Sequence, residues 1–172
     1  MEYKNKEFVS KKFRGVDFTG MSFENSTFER CVFDECNLSN MNLEDVRFLN
    51  VTFKECKILG LNFTKCNRFV FDLSFEECLV RMCSFSELDL RRREFVNCEV
   101  LDCDFMGTNL SRVSFENSNL EGSLFHKTDL RFASFKGAVN YNIDPHQNTL
   151  KKTKFSIPEA VSLLSIFDIE LE

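Results

Sequence analysis

The sequence predicts an all-β coil whose sides are each five residues long, and three observations carry the prediction. First, apolar residues recur at every fifth position: Phe8, Phe13, Phe18, Phe23, Phe28, Phe33, Leu38, Leu43, Phe48, Phe53, Ile58 and Phe63. The run skips two residues, resumes at Val70 and Phe75, and continues every five residues to Leu130 and Phe135. Second, the residue two before each of these centres is mostly small or medium, as at Cys31, Val46, Thr108 and Ser118. Third, the residue two after each centre is a corner. All six glycines fall there, with Asn25, Asn40, Asn50, Asn97 and Asn117. Glycine and asparagine tolerate the positive φ of tight turns. A period of five suits neither a helix nor an ordinary strand, and self-similarity on this scale takes precedence over local propensity.

The centres also account for an unusual composition, with 21 Phe, two Tyr and no Trp in 172 residues. The eight cysteines follow the same pattern, and seven of them stand two residues before a centre. Cys36, Cys56, Cys78 and Cys98 are spaced by 20, 22 and 20 residues, so the middle interval absorbs the skip; Cys83 and Cys103 repeat the spacing of 20. These cysteines are expected to stack inward as small apolar fillers. No CxxC-type spacing suggests a metal site.

The stretches Cys31-Val-Phe-Asp-Glu35, Cys36-Asn-Leu-Ser-Asn40 and Ser118-Asn-Leu-Glu-Gly122 resemble the pentapeptide-repeat family. Its pattern is a small residue, a polar one, Leu or Phe, a polar one, then a polar residue or Gly. The resemblance covers about residues 6–140. It implies a right-handed quadrilateral β-helix with four pentapeptides to a turn and about seven coils. The centres would fill the axis, and the residues two before them would pack inward beside them.

The pattern fails at Cys66-Asn-Arg-Phe-Val-Phe-Asp72. Removing either Cys66-Asn67 or Phe71-Asp72 restores the register. A bulge on one corner is expected there. It is either a tolerated insertion or, if Phe69 or Phe71 is exposed, a contact point.

The open end of a solenoid must be covered. The repeat fades at Asn140, which divides the chain into a solenoid, 1–140, and a linker, capping helix and tail, 141–172. Ser156 and Glu159 have capping-box spacing, and Pro158 suits a first turn, so a C-terminal capping α-helix is expected. Ile157, Ala160, Val161 and Leu164, together with Leu163 and Phe167, give it two apolar stripes, more than one packing face needs. One stripe would plug the solenoid and the other would join a second copy. This ending resembles that of the quinolone-resistance members (the Qnr and MfpA type), in which a C-terminal helix and strand join two monomers end to end. The resemblance therefore implies a homodimer held by Val161, Leu163, Leu164 and Phe167; the alternative is a cap without dimerisation.

With 20 residues per turn, outward residues fall on four faces. One carries Asp34, Glu35, Glu55, Glu76, Glu77, Glu94 and Glu116, with Lys54 as its one basic residue between positions 33 and 116. A neighbouring face carries Arg30, Arg47, Arg91, Arg92, Arg112 and Arg131, offset by Glu29, Asp72, Asp89 and Asp129. The face with Glu24, Glu44, Asp45, Glu87 and Asp104 is again acidic. For the Qnr and MfpA members, an acidic rod implies mimicry of duplex DNA and engagement of DNA gyrase or topoisomerase IV. A saddle shaped for phosphates attracts such a rod and is then closed to DNA. The charge is modest. About 32 Å of duplex carries roughly 19 charges, whereas this chain nets −5. Binding by the acidic face must therefore lean on shape. Long loops between coils, which bear on quinolone protection in that group, are absent from the sequence, so the resemblance points to MfpA-like binding or inhibition. The alternative is an adaptor rod that presents a surface to another partner.

The same charge balance argues against direct nucleic-acid or anionic-membrane binding. The N-terminal residues lack the apolar run of a signal peptide, and no stretch approaches the roughly 20 apolar residues of a membrane span. A cytoplasmic protein is expected. The two histidines, His126 and His146, have no nucleophile or carboxylate partner placed by the sequence. There is no phosphate-binding glycine loop, and a phenylalanine-filled axis leaves no interior pocket. Catalysis, metals and cofactors are accordingly not expected.

Overall fold

A computed structural model describes residues 3–167, 169 and 170. The chain winds into a right-handed, four-sided β-solenoid of about seven turns, ending in one short helix. The strands are short because each side holds only one pentapeptide. In order they are β1 (Glu7–Val9), β2 (Lys12–Arg14), β3 (Thr27–Glu29), β4 (Val32–Asp34), β5 (Arg47–Lys54), β6 (Lys57–Leu59) and β7 (Phe71–Glu76). There follow β8 (Leu79–Arg81), β9 (Phe95–Val96), β10 (Glu99–Leu101), β11 (Leu124–Phe125), β12 (Ser134–Phe135), β13 (Asn142–Ile143) and β14 (Lys154–Phe155). Every pairing is parallel, and most partners lie 20 residues apart, as in Phe8↔Phe28 and Phe13↔Phe33.

The centres fill the axis as rows of stacked rings. Phe13, Phe33, Phe53, Phe75, Phe95, Phe115, Phe135 and Phe155 form one continuous column with centroid separations of 4.7–5.3 Å. Phe63, Phe85, Phe105 and Phe125 form a second, at 4.7–5.3 Å. Rings in different columns meet edge to face, as Phe85 and Phe95 do at 5.6 Å. At the N-terminal end the Tyr3 ring lies 5.2–6.4 Å from Phe8, Phe13, Phe18 and Phe23 and covers the first coil.

The residues two before the centres are small for a second reason besides space. The carbonyl of a centre points inward, and a side chain of the next coil reaches it. Thr108 Oγ1 donates to the Phe85 carbonyl at 2.9 Å, Ser118 Oγ to Phe95 at 2.8 Å and Ser123 Oγ to Val100 at 2.8 Å. Cys31, Cys36, Cys56, Cys78, Cys83 and Cys103 place their thiols on the equivalent carbonyls at 3.3–3.5 Å. The same atoms accept from the coil before: the Cys56 N–H meets Cys78 Sγ, and the Cys98 N–H meets Ser118 Oγ. Cysteine, serine and threonine are therefore interchangeable small donors here, each satisfying a buried backbone group. Cys66, the one cysteine outside the sequence pattern, is also buried, and burial pushes its thiol well above the usual range.

At the break the sequence reading needs correction, because Phe71 and not Val70 occupies the axis. Phe71 pairs with Phe48 and is buried, whereas Val70 lies outside the core. Arg68, Phe69 and Val70 loop out as three extra residues. The next corner is then one residue short, since Phe48↔Phe71 is followed by Val51↔Leu73. Three gained and one lost make the two-residue skip, and neither dipeptide named from the sequence is the insertion. Strand β7 consequently runs straight through the position of a corner.

The coil also runs on past Asn140. Strand β13 pairs with β11 and β14 with β12, while Tyr141 and Ile143 are buried. The register is short by two at Phe125↔Ile143 and restored at Asp129↔Thr149. The terminal helix, Glu159–Phe167, is a 3₁₀ helix and not the expected α-helix. Ser156 and Glu159 do not form a capping box. Ser156 Oγ accepts the Gly137 N–H at 3.0 Å, and Glu159 Oε1 accepts the Asn140 N–H at 2.6 Å. Both side chains are used to fasten the helix to exposed N–H groups of the preceding coil.

Burial separates two phenylalanines of this chain cleanly. Phe95→Ala empties the middle of the eight-ring column and is expected to lower stability by about 3–5 kcal/mol, whereas Phe69→Ala, at a ring 98% exposed, should leave the thermal midpoint within a degree or two; circular dichroism melts check both. The eight thiols, each no more than 4% exposed, are expected to react with a chromogenic disulfide reagent only after denaturant is added. Rapid labelling of the folded protein would contradict the inward columns.

Candidate protein-binding surfaces

The acidic residues singled out from the sequence do share one edge of the rod, but they are not electrostatically equal. Asp34 is nearly buried and holds Lys12 at 2.8 Å and Arg14 at 3.6 Å. The Lys12 ammonium in particular keeps its carboxyl below the usual carboxylate range. Glu35 pairs with Arg14 at 2.8 Å, and Glu76 with Lys54 at 2.6 Å. Glu116 accepts the Ser134 hydroxyl at 3.2 Å. Glu55, Glu77 and Glu94 are exposed, and no ion pair engages them among the described residues. Three of the seven carboxylates are thus neutralised, and Glu55, Glu77 and Glu94 remain open.

The cations responsible were visible in the sequence. Twenty-residue stacking places Arg14 beneath Asp34, and a Lys12–Asp34 contact is one coil step away. Both cations lie before residue 33, one coil ahead of the stretch in which the face is almost purely acidic.

Glu35, Glu55 and Glu77 occupy successive corners with φ of 53°, 49° and 54°. Backbone hydrogen bonds hold each corner to the next coil, from the Glu35 N–H to Lys54 O at 3.0 Å and from the Glu55 N–H to Glu76 O at 3.0 Å. The carboxylates are therefore carried on a fixed column with steps of about 4.8 Å, the spacing of paired strands.

The terminal helix presents a second candidate surface. A 3₁₀ helix has three residues per turn, so Val161, Leu164 and Phe167 align on one edge. They are 44%, 38% and 50% exposed. Leu163, on another row, is the one of the four named residues that packs against the core. Ile157, at 88% exposure, extends the apolar area. Phe167 also touches the His146 ring at 5.7 Å. The other histidine, His126, is half-buried on the flank.

No group of three or more Cys, His, Asp or Glu side chains is placed to hold a metal among the described residues. No described helix is long and apolar enough to cross a membrane.

A family model described as a pentapeptide repeat region matches residues 26–105, and one for eight copies of the pentapeptide repeat matches residues 103–139. A search of curated proteins finds no match. Among solved structures, two trypsin-treated variants of QnrB1, a plasmid-mediated fluoroquinolone resistance protein, each superpose with a TM-score of 0.51. They are 17% and 18% identical, and the alignments cover 99% of this chain and 95% and 92% of theirs. HetL, a pentapeptide-repeat protein involved in heterocyst differentiation regulation from the cyanobacterium Nostoc sp. strain PCC 7120, aligns over 90% of this chain and 88% of its own at 10% identity and a TM-score of 0.41. The matched repeats, the five-residue sides and the stacked axis establish that this chain belongs to the pentapeptide-repeat family.

Proposed function

We propose that this protein is a non-enzymatic, cytoplasmic, protein-binding rod that engages a type II topoisomerase, DNA gyrase or topoisomerase IV, by competing with DNA for its saddle. The observation that carries the reading is the rigid face on which the corner residues Glu55 and Glu77, and Glu94 on the same side of the next coil, stand exposed with no ion pair among the described residues. A preformed row of carboxylates meets a basic saddle without an ordering cost. The fold shared with QnrB1, a fluoroquinolone resistance protein, supports the choice of target. Asp34, Glu35 and Glu76, already paired within the chain, serve mainly to hold the edge straight, and Glu116 extends it.

The modest charge of the edge favours a second reading, an adaptor rod whose partner is not a topoisomerase. Gyrase supercoiling with added protein separates the two. Inhibition is expected on the order of micromolar concentration, with at least a tenfold loss when Glu55, Glu77 and Glu94 are all changed to Lys. Inhibition untouched by that reversal, or none at tens of micromolar, would leave the adaptor reading. Relief of a quinolone block would instead indicate protection of the enzyme.

The rod is further proposed to dimerise end to end through Val161, Leu164 and Phe167, with Leu163 anchoring the helix. Light scattering is expected to give twice the 20.1 kDa chain mass, and Leu164→Asp with Phe167→Asp should return the monomer without altering the melt. An unmutated protein running at the monomer mass would refute the dimer.

A further inference from the structure

The break in the repeat opens a recess of about 830 Å³ on the basic face. Its wall contains Arg68, Arg91, Arg92, Arg93 and Arg112, against the carboxylates of Asp72 and Asp89. Five guanidiniums less two carboxylates leave a local excess of three positive charges, in a chain whose formal charge is −5.

These arginines differ in how much of their charge is committed. Arg91 grips Asp89, with its closest contact at 2.6 Å. Arg93 stands two before a centre, where other coils of the same face place a small or medium apolar side chain, Leu73, Val113 or Ala133. Its side chain escapes sideways to Asp72 at 2.7 Å, and its buried Nε has no hydrogen-bond partner. Arg68 and Arg92 have no carboxylate partner among the described residues.

The recess continues down one corner of the rod. Arg92, Arg112, Phe132 and Lys152 follow one another at 20-residue intervals with φ of 63°, 62°, 61° and 58°. The Arg112 guanidinium lies 5.0 Å from the centroid of the Phe132 ring and Lys152 Nζ lies 6.0 Å from it. At the head of this row stands Phe69, 98% exposed. Its loop is fixed by Asn67. The Asn67 side chain accepts the Phe69 N–H at 3.1 Å and donates to Asp45 at 3.0 Å, and its own N–H bonds the Val46 carbonyl at 2.9 Å. A large apolar ring is thus held out in water beside guanidiniums that lack anionic partners.

We propose that this row binds an extended acidic segment of a partner protein, with carboxylates on Arg68, Arg92 and Arg112 and an apolar side chain covering Phe69. Arginine recognises carboxylates through paired hydrogen bonds, and aromatic and arginine residues together form the usual anchors of protein interfaces. A peptide suits the site better than nucleic acid. Asp72, Asp89 and Asp129 lie beside the row, acidic faces flank it, and the four cations without a carboxylate partner among the described residues, Arg68, Arg92, Arg112 and Lys152, are too few for the multiple phosphate contacts on which nucleic-acid affinity rests. The site is built on a different corner column from Glu55 and Glu77 and does not rest on the topoisomerase reading, although Glu94 of that reading follows Arg92 by two residues.

Fluorescence anisotropy with the labelled peptide Glu-Asp-Leu-Asp-Glu-Leu-Asp-Glu tests it on the full chain. Binding is expected on the order of tens of micromolar. It should weaken at least tenfold in Arg68→Glu with Arg92→Glu and severalfold in Phe69→Ser, and Glu55→Lys should leave it unchanged. The peptide with Gln and Asn in place of its acids should not bind. Melting curves of the variants, all at exposed side chains, confirm that the fold is kept. No peptide binding, equal binding by the double arginine variant, or tighter binding of an oligodeoxythymidine than of the peptide would overturn the proposal.

Discussion

The structure depends on what the axis must accommodate. Five residues to a side and four sides to a turn bring each centre onto the residue one turn below, so the core is a set of columns and not a packed globule. The same geometry demands a left-handed residue at nearly every corner, and most of those residues are not glycine. Asn25, Glu55, Glu77, Arg92 and Phe132 all have φ between 49° and 63°. Each such residue costs about 1–3 kcal/mol. Burying one large apolar centre contributes about 1.5–3 kcal/mol, with a further 0.5–1.5 kcal/mol for a well-placed aromatic pair. Corner and centre are therefore of the same size, and an axis of alanines would not sustain this winding. Stacked phenylalanines do, and that accounts for the bias toward Phe. Where the corner is Gly122 or Gly137, the strain is absent because there is no Cβ, and the side-chain oxygen of Asp102 or Asn117 from the coil before occupies the space a Cβ would take, 2.3–2.4 Å from it.

Because the columns are tied by both side chains and backbone, a disturbance has to be resolved within a coil or two. The break between Cys66 and Leu73 shows how. Three residues leave the coil, Phe71 turns back in to stay under Phe48 at 6.3 Å, and the following corner disappears. The ladder is back in register at Phe53↔Phe75. The disturbance survives only at the surface, in the exposed Phe69 and in Arg93, whose guanidinium reaches Asp72 on the straightened corner.

Period and composition carry most of this into the sequence. Centres, glycine corners and the cysteine columns are legible because each position has one job and repeats many times. What failed to read was whatever occurs once. Val70 and Phe71 are both apolar, and only the size of the bulge decides between them. Ser156 and Glu159 satisfy a capping-box pattern, yet the unpaired N–H groups of Gly137 and Asn140 compete for the same oxygens and win. The coil beyond Asn140 was hidden by compensating shifts of two residues around Ile143. The pairing of the acidic face was hidden, since Arg14, which holds Asp34 and Glu35, sits one coil before the stretch that defined it.

Corners point away from the core, so the composition of each corner column is free of packing demands. One carries Glu35, Glu55 and Glu77; another carries Arg92, Arg112, Phe132 and Lys152. On a flexible chain such like charges would drift apart. Here backbone ladders hold their attachment points about 4.8 Å apart, at which two full charges in water repel by about 0.9 kcal/mol. Arg14 relieves Glu35 and the Phe132 ring lies between Arg112 and Lys152; Glu55 and Glu77 feel Arg14 and Lys54 only at longer range and have no ion pair of their own among the described residues, so part of their repulsion remains. That repulsion is tolerated because stability comes from the axis, which the corner does not touch. A partner bringing opposite charge removes it on binding. A rod that cannot relax its own surface therefore gains more from a complementary one than a flexible segment of the same composition would.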